Sequence, residues 1–563
     1  MNRSSPVVAL RELADDVWAY NLSKSTYLRL QEGVPIEQLE DLTLEEHREN
    51  RMKTAEFRER LLTIHASGLG GDDLVTYEIL EVELDDLGAT DDDYWLRIDI
   101  TPYVGPYVFQ FCQQALAAQK ITDRASADHY LKLANELADV IDQLTAKVHG
   151  QVERGIYLPK PAIPGTRATW QGIAAALPEA IRVDESRLSA LSETDRDALR
   201  EGIEEIVETR IVGGFDRLLA AIGEDYQAQA PNTVGLSQYP NGDAVYRRWI
   251  RVETTLDLTA QQIHERGKSA VADIAARMKA IRDEQGFEGT PHEFVEQLKQ
   301  DPRFIADSPE ELEQRYMQYI HRIEPKLDAY FKYRPAAAYG VRRLPLASEA
   351  GMTYGYYNPP TAEDPVGYYN YNASNLDTRS LVWAGSLIYH ELLPGHHFHL
   401  ATQNENESLQ PFRRKYSVAA FTEGWAEYAA SLGLEMGMYE TPLEKYGRYL
   451  GEMFLATRLV VDTGMNALGM SLEEAREYMR QRVIQSDAEI DSETLRYSTS
   501  IPAQALAYRL GYEKMWELRR RAEEALGGSF DVREYHNVVL SDGAKPLPVL
   551  EAKVGRWISS KQL

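Results

Sequence analysis

The stretch LKLANELADVIDQL, residues 131–144, indicates the class of fold. Its apolar residues recur every three or four positions, as at Leu133, Leu137, Ile141 and Leu144. This spacing places them on one face of an α-helix, because the helix completes a turn every 3.6 residues. The same period runs from residue 7 to about residue 335. It predicts a lobe built from amphipathic helices.

Short strands are predicted between residues 338 and 372, where the pattern changes. Segments rich in valine and tyrosine are separated there by prolines, and such residues between such breaks are typical of strands. The candidate strands are residues 341–344, 352–357 and 366–371. Helical spacing resumes after Leu376. We therefore expect a mainly α protein with one small sheet, divided into a helical lobe at 1–335 and a second region at 336–563.

The composition limits the classes of protein to which the chain can belong. Its 563 residues carry a formal net charge of −27, and lysines and arginines are spread among acidic neighbours, so nucleic acid is not an expected partner. No apolar stretch is long enough to cross a bilayer, and no hydrophobic signal core is evident, so we expect a cytoplasmic protein without a membrane partner. Cys112 is the only cysteine, so histidines and carboxylates must hold any metal.

Residues 390–397, HELLPGHH, concentrate the histidines of the chain. Of its 12 histidines, four fall within the ten residues that begin at His390. A His-Glu pair followed by another histidine is typical of zinc hydrolases, in which two imidazoles bind the metal and the glutamate activates a water molecule. We therefore predict that His390 is a zinc ligand and that Glu391 is the general base.

The identity of the second histidine ligand depends on how the chain passes Pro394 and Gly395. In a regular helix His396 would lie about 120° around the axis from His390, and His397 would lie roughly 10 Å along it. Two nitrogens that bind one zinc ion are only about 3–3.5 Å apart. Pro394 removes a helical hydrogen bond and Gly395 tolerates unusual dihedral angles, so we predict a bulge that returns His396 to the metal. His397 is the alternative ligand.

Residues 421–428, FTEGWAEY, provide the predicted third ligand. Glu423 and Glu427 are four residues apart and share one face of a helix. The small residues Gly424 and Ala426 let this helix approach another backbone closely. We predict that Glu423 binds the metal and that Glu427 either supports the ligands from behind or is solvated.

Hydrogen-bond donors near the reacting carbonyl are a further requirement of this chemistry. Tyr508 and His536 are the predicted catalytic donors, and Tyr497 is a predicted substrate contact; ordinary packing is the alternative for each. Asp462 lies in an apolar helical run, where a carboxylate needs a partner. It either orients a ligand histidine, acts as a cap or pairs with Arg458.

The two motifs together resemble the gluzincin metallopeptidases, such as aminopeptidase N, in which the glutamate of Asn-Glu-Gly-Phe-Ala is the third zinc ligand. The full pattern, HELLPGHH with EGWAEY and a later PAQALAY at residues 502–508, is similar to a bacterial family catalogued as a domain of unknown function, over most of the chain. An expanded motif one residue shorter is known in a dipeptidyl-peptidase family. The resemblance implies that 336–563 is a zincin-like catalytic region and that zinc is the cofactor.

Gluzincins place a strand that pairs with extended substrate just before the motif helix, so the resemblance also implies substrate contacts on the predicted strands. Tyr368 and Asn370 alternate onto one face there, together with Asn372. The alternatives are tyrosines that pack the sheet against helices and an aromatic platform for a sugar.

A zinc peptidase that cleaves short peptides with metal-activated water is the function that these patterns predict. One alternative is a zinc enzyme that acts on another amide or carbonyl substrate, such as a cyclase or a tailoring enzyme. The other is a helical binding scaffold whose motif has lost its metal. The absence of a histidine four residues after His390, where Pro394 stands, favours the scaffold.

Overall fold

Helices fill the first part of the chain. The computed structural model describes residues 5–349, 355–361 and 364–562. Helices α1 to α15 are, in chain order, Pro6–Lys24, Thr26–Gln31, Leu44–Leu62, Gly71–Glu83, Asp91–Trp95, Gly105–Ala118, Arg124–Glu153, Ile163–Ala180, Glu193–Ile206, Val212–Ala221, Glu224–Gln229, Gly242–Thr254, Ala260–Glu284, Pro291–Lys299 and Pro309–Ile323.

Helix α7 contains the stretch from which the fold was predicted. Its N-terminus is closed by a capping box, in which Asp123 accepts a hydrogen bond from the backbone N–H of Ser126 and the Ser126 hydroxyl lies within hydrogen-bond distance of the Asp123 backbone N–H. Leu133, Leu137 and Ile141 are fully buried against neighbouring helices. Burial of such a face supplies most of the stability of a helix in a protein.

A single three-stranded sheet follows in the described part of the chain. Strands β1 (Ala338–Arg343), β2 (Gly355–Asn358) and β3 (Val366–Tyr371) take the order β1-β3-β2. β3 pairs parallel with β1 and antiparallel with β2. The strand predicted from residue 352 is described from Gly355 onward, because Met352 to Tyr354 lie outside the described residues.

The second helical part surrounds the two motifs. Helices α16 to α26 are Leu346–Glu349, Ala384–Glu391, His396–Glu405, Pro411–Lys415, Ala419–Glu435, Pro442–Ala467, Leu472–Arg480, Asp487–Leu495, Leu506–Leu526, Val532–Leu540 and Leu547–Lys561. The mainly α class with one small sheet is therefore confirmed. Among the described residues, no helix is both long enough and apolar enough to span a bilayer.

Close contacts between backbones hold the motif helices in place. A Cβ atom on Gly424 of α20 would lie 2.5 Å from the Cα of Gly511 in α24, so only glycine fits at this crossing. This agrees with the close approach expected of residues 421–428. Gly267 of α13 packs in the same way against Leu459 and Val460 of α21. The predicted lobe and the second region thus contact each other directly, and the boundary at residue 335 stays a prediction.

Candidate metal centre

The two halves of HELLPGHH belong to separate helices. α17 ends at Glu391, where Leu392 leaves helical geometry with φ −111° and ψ −94°, and α18 begins at His396. The predicted bulge inside one helix is therefore wrong. The Leu393–Pro394 peptide is cis, and the Trp425 Nε1–H donates to the Pro394 carbonyl at 3.0 Å.

Gly395 allows the second helix to start where it does. A Cβ atom at this position would lie 1.8 Å from the carbonyl oxygen of His390 and 2.6 Å from that of Tyr389. No other residue can come so close to the end of α17. Gly395 therefore permits the tight turn that brings His396 back beside His390.

His390, His396 and Glu423 form a cluster that can hold a metal ion. One ligand atom from each lies within 4.8 Å of the other two. Oε2 of Glu423 is 3.4 Å from Nε2 of His390 and 3.5 Å from Nε2 of His396. Ligand atoms on one zinc ion lie about 3–3.5 Å apart, so the two distances from Glu423 match this spacing, and the donor types are ones that zinc takes. The structure thus brings together the three residues that the sequence analysis selected.

His397, the alternative ligand, is engaged elsewhere. Its Nε2 donates to the carbonyl oxygen of Ala337 at 3.2 Å, and its Nδ1 accepts from the Tyr357 hydroxyl at 2.9 Å. Burial lowers the pKa of His397 to about 4, so the ring is neutral. His397 therefore fastens α18 to strands β1 and β2 and does not join the cluster.

Glu427 supports His390 from the side away from the cluster. Oε1 of Glu427 accepts from Nδ1 of His390 at 2.8 Å, while Oε2 accepts from the buried Arg448 at 2.9 Å. Burial raises the pKa of Glu427, but Arg448 and His390 lower it to about 2 overall. Glu427 is thus ionised and buried, not solvated. Arg448 also donates to the Ser386 hydroxyl at 2.9 Å, which fixes the guanidinium between α17, α20 and α21.

The charges of the cluster are strongly coupled when no cation is bound. Burial lowers the pKa of His390, but the hydrogen bonds to Glu423 and Glu427 outweigh it and raise the pKa to about 10. Burial raises the pKa of Glu423, whereas His396 and His390 bring it well below its usual range. Two carboxylates around two imidazoles therefore form a site that favours a positive charge between them.

A cavity of about 430 Å³ opens onto the cluster. Glu391 lines it beside His390 and His396, and burial raises the pKa of the Glu391 carboxyl. Tyr508 lines it as well, as predicted from its position in PAQALAY. The other lining residues are Gly355, Tyr356, Tyr357, Trp383, Ser386, Leu387, Leu400, Thr422, Glu423, Glu427, Gly451, Phe454, Leu455 and Arg458.

Two predicted site residues lie away from this cavity. Asp462 is fully buried and accepts from the Tyr246 hydroxyl and from the backbone N–H of Ala503, so it orients no ligand histidine. Its partner is not Arg458 either. His536 is also fully buried; its Nδ1 donates to the carbonyl of Tyr330 and its Nε2 accepts from the Tyr428 hydroxyl. His536 is therefore not placed to act as a catalytic donor.

The predicted substrate contacts also need correction. Tyr497 is fully buried and its hydroxyl is bonded to Arg458 and Glu493. Tyr368 and Asn370 lie on β3, whose two edges are already paired with β1 and β2, so β3 cannot receive a peptide. Asn370 instead accepts from Arg342 at 3.0 Å. The strand beside the cavity is β2.

Arg448 was missed in the sequence. Its signal is a charge inside an apolar helical run, the same feature that singled out Asp462. Tyr357, whose backbone N–H is within hydrogen-bond reach of the Glu391 carboxylate, was missed as a neighbour of Glu391, although its strand was identified. In both cases the hydrogen-bond partner comes from a segment far away in the sequence, so local patterns could not identify it.

The fold and the cluster define a mainly helical protein with a candidate His-His-Glu metal centre. The chain belongs to the family described as bacterial protein of unknown function (DUF885), which matches residues 25–554. No curated protein matches it.

Two solved structures share the fold. One is described as "the crystal structure of the putative lipoprotein from Colwellia psychrerythraea", with 24% identity, a TM-score of 0.84 and coverage of 99% of this chain and 100% of that one. The other is described as "the structure of a putative lipoprotein of unknown function from Shewanella oneidensis", with 18% identity, a TM-score of 0.73 and coverage of 98% and 99%. The predicted cytoplasmic location, which rested on composition, is contradicted by this finding, because these two structures are of proteins described as putative lipoproteins.

Proposed function

We propose that this protein is a zinc-dependent hydrolase that cleaves peptide bonds in short peptides. The observation that carries the proposal is the geometry of one cavity: His390, His396 and Glu423 converge within 4.8 Å, and Glu391 lines the wall beside them. Three protein ligands are the usual number in catalytic zinc sites, whereas structural sites use four.

Zinc, when bound, supplies Lewis acidity to a water molecule and to a carbonyl group. The carboxylate of Glu391 then takes a proton from water and delivers it to the nitrogen of the leaving amine. In the metal-free protein, burial raises the pKa of the Glu391 carboxyl, which makes its carboxylate a stronger base. The Tyr508 hydroxyl is the donor proposed for the negative charge that develops on the carbonyl oxygen.

Strand β2 favours a peptide as substrate. It lies at an edge of the described sheet, and its residues Gly355, Tyr356 and Tyr357 line the cavity. An edge strand can receive an extended peptide through backbone hydrogen bonds. The cavity of about 430 Å³ has room for a few residues, which favours short peptides.

Metal analysis followed by a peptide digest tests the proposal. We expect near-equimolar zinc in the purified protein, lost in His390→Ala and kept in the control His321→Ala, whose side chain is 66% exposed. A peptide library should be cleaved by the wild type and not by zinc-loaded Glu391→Gln, while Glu179→Gln, on the surface, should behave as wild type. Metal-free native protein would support the scaffold alternative. Bound zinc without cleavage of any peptide would support a different amide or carbonyl substrate.

A further inference from the structure

Arg458 is a buried guanidinium in the wall of the cavity that holds the metal cluster. It lies on α21 and is 6% exposed. Among the described residues that line this cavity, it is the one whose charge is positive at every accessible pH. A buried arginine in such a position needs an anionic or hydrogen-bonding partner.

Two of the three guanidinium nitrogens of Arg458 are held by protein groups. Nε donates to the Tyr497 hydroxyl at 2.6 Å, and Nη2 forms an ion pair with Glu493 at 3.0 Å. The rings of Phe454 and Tyr508 lie 4.2 and 4.9 Å from Cζ. Nη1 has no hydrogen-bond partner among the described residues. The contacts therefore hold the planar group in one orientation and leave one edge for a ligand.

The charge around Arg458 is not cancelled by Glu493. Arg496 also pairs with Glu493, at 3.1 Å, so two guanidinium groups share one carboxylate. Glu391 and Glu423 line the same cavity. Arg458 therefore gives this cavity a positive group, toward which a ligand turns its own negative group.

Tyr508 is near both Arg458 and the metal cluster. It lines the cavity, contacts Arg458 through its ring, and is close enough to Glu423 for that carboxylate to raise its pKa together with burial. A ligand whose reacting carbonyl lies beside Tyr508 and Glu391 can therefore place its next polar group near Arg458.

We propose that Arg458 binds the C-terminal carboxylate of the substrate and makes the protein a carboxypeptidase, which removes residues from the C-terminus. This inference rests on the proposed hydrolase function. Arginine binds a carboxylate through paired N–H groups, and such charge-assisted bonds are stronger than neutral ones. Phe454 and Leu455 line the cavity next to Arg458, so the last residue of the substrate meets an apolar wall.

Three tripeptides of the same backbone test the inference. One ends in phenylalanine with a free carboxylate, one is its C-terminal amide, and one is an amide that ends in glutamate. Binding is measured by calorimetry to zinc-loaded Glu391→Gln protein, with and without Arg458→Gln; Arg458→Lys and Arg480→Gln are the charge-keeping and surface controls. Zinc content and thermal unfolding show whether each variant is folded.

We expect the free acid to bind about 10- to 100-fold more tightly than the phenylalanine amide, and Arg458→Gln to remove this preference. Arg458→Lys should keep part of it, and Arg480→Gln all of it. Equal binding of acid and amide, no binding of either, or a preference that survives in Arg458→Gln overturns the proposal. Equal binding of the glutamate amide and the free acid also overturns it, because Arg458 then accepts an acidic side chain.

Cleavage of the same peptides by the wild type separates this inference from the proposed function. Cleavage of the acid and the amide at equal rates, with dependence on Glu391, would support the proposed hydrolase function and exclude a carboxypeptidase. Selective binding of the acid without cleavage of any peptide would support a carboxylate-binding site at Arg458 and exclude a peptidase.

Discussion

Nδ1 of His390 lies 2.8 Å from Oε1 of Glu427, and this hydrogen bond fixes which nitrogen of His390 faces the cluster. Because Nδ1 carries the proton that it donates to Glu427, the lone pair of neutral His390 is on Nε2, the atom beside Glu423 and His396. A carboxylate that orients a ligand histidine in this way is a common support of zinc sites. Of the two carboxylates predicted to support the ligands, Glu427 is bonded to His390 and Asp462 is not.

Replacing Glu427 with glutamine should weaken zinc binding by about 10- to 100-fold, the usual effect of losing such a support. Glutamine keeps the size of the side chain but removes the negative charge that favours the N–H of His390. Competition with a coloured chelator measures the affinity. Glu435→Gln, on the same helix α20 but paired with Arg519, is the matched control and should bind zinc as the wild type does. An unchanged zinc affinity in Glu427→Gln would show that Glu427 does not support the metal site.

Zinc affinity should rise with pH. The metal-free pKa of His390 is about 10, so this ring carries a proton near neutral pH and must release it to bind the metal. For each unit of pH below about 10, the proton on His390 should therefore lower the zinc affinity about tenfold. The zinc affinity should increase between about pH 6 and about pH 8. Calorimetry in buffers with different ionisation enthalpies measures the proton release. Zinc binding at neutral pH without release of a proton would contradict a protonated His390 in the metal-free protein.

The residues of the candidate metal centre could be predicted because their signals are local, in residues 390–397 for the two histidines and in residues 421–428 for Glu423. His390, Glu391 and His396 lie within seven residues, and the spacing test already required a sharp turn at Pro394 and Gly395. The form of that turn could not be predicted. A bulge and a new helix both satisfy the spacing, and the choice depends on Trp425 and on the carbonyl of His390, which are contacts made only in the folded chain.

Residues that act through long-range contacts were predicted less well. Asp462 was correctly recognised as a carboxylate that needs a partner, but Tyr246 is 216 positions away and no periodicity connects the two. Tyr368 and Asn370 were assigned to substrate because the order of the strands is invisible in the sequence. With β3 in the middle, the edges of the described sheet belong to β1 and β2, and β2 is the one that lines the cavity.

Alanine at position 395 should destabilise the protein and disturb the metal site together. Its Cβ would lie 1.8 Å from the backbone oxygen of His390, which cannot move without breaking the end of α17. We expect a loss of about 2–4 kcal/mol in the free energy of unfolding, in the upper range for single substitutions. Urea unfolding and zinc content measure the two effects. Gly172→Ala is the control, since that glycine lies inside α8 with open space around it and should gain up to about 1 kcal/mol. Equal stability of the two variants would contradict the tight turn.

Replacing Tyr508 with phenylalanine should lower kcat about 10²- to 10³-fold while KM and zinc content change little, since a donor to the oxyanion acts in the transition state. The ring remains, so the packing against Arg458 is kept. Tyr512, one turn further along α24, is not among the residues that line the cavity, and Tyr512→Phe is the matched control. Burial and Glu423 raise the pKa of Tyr508, so its hydroxyl stays protonated and the effect should be constant across neutral pH. If Tyr508→Phe cleaves peptides as fast as Tyr512→Phe does, the donor to the carbonyl oxygen must be another group of the cavity wall.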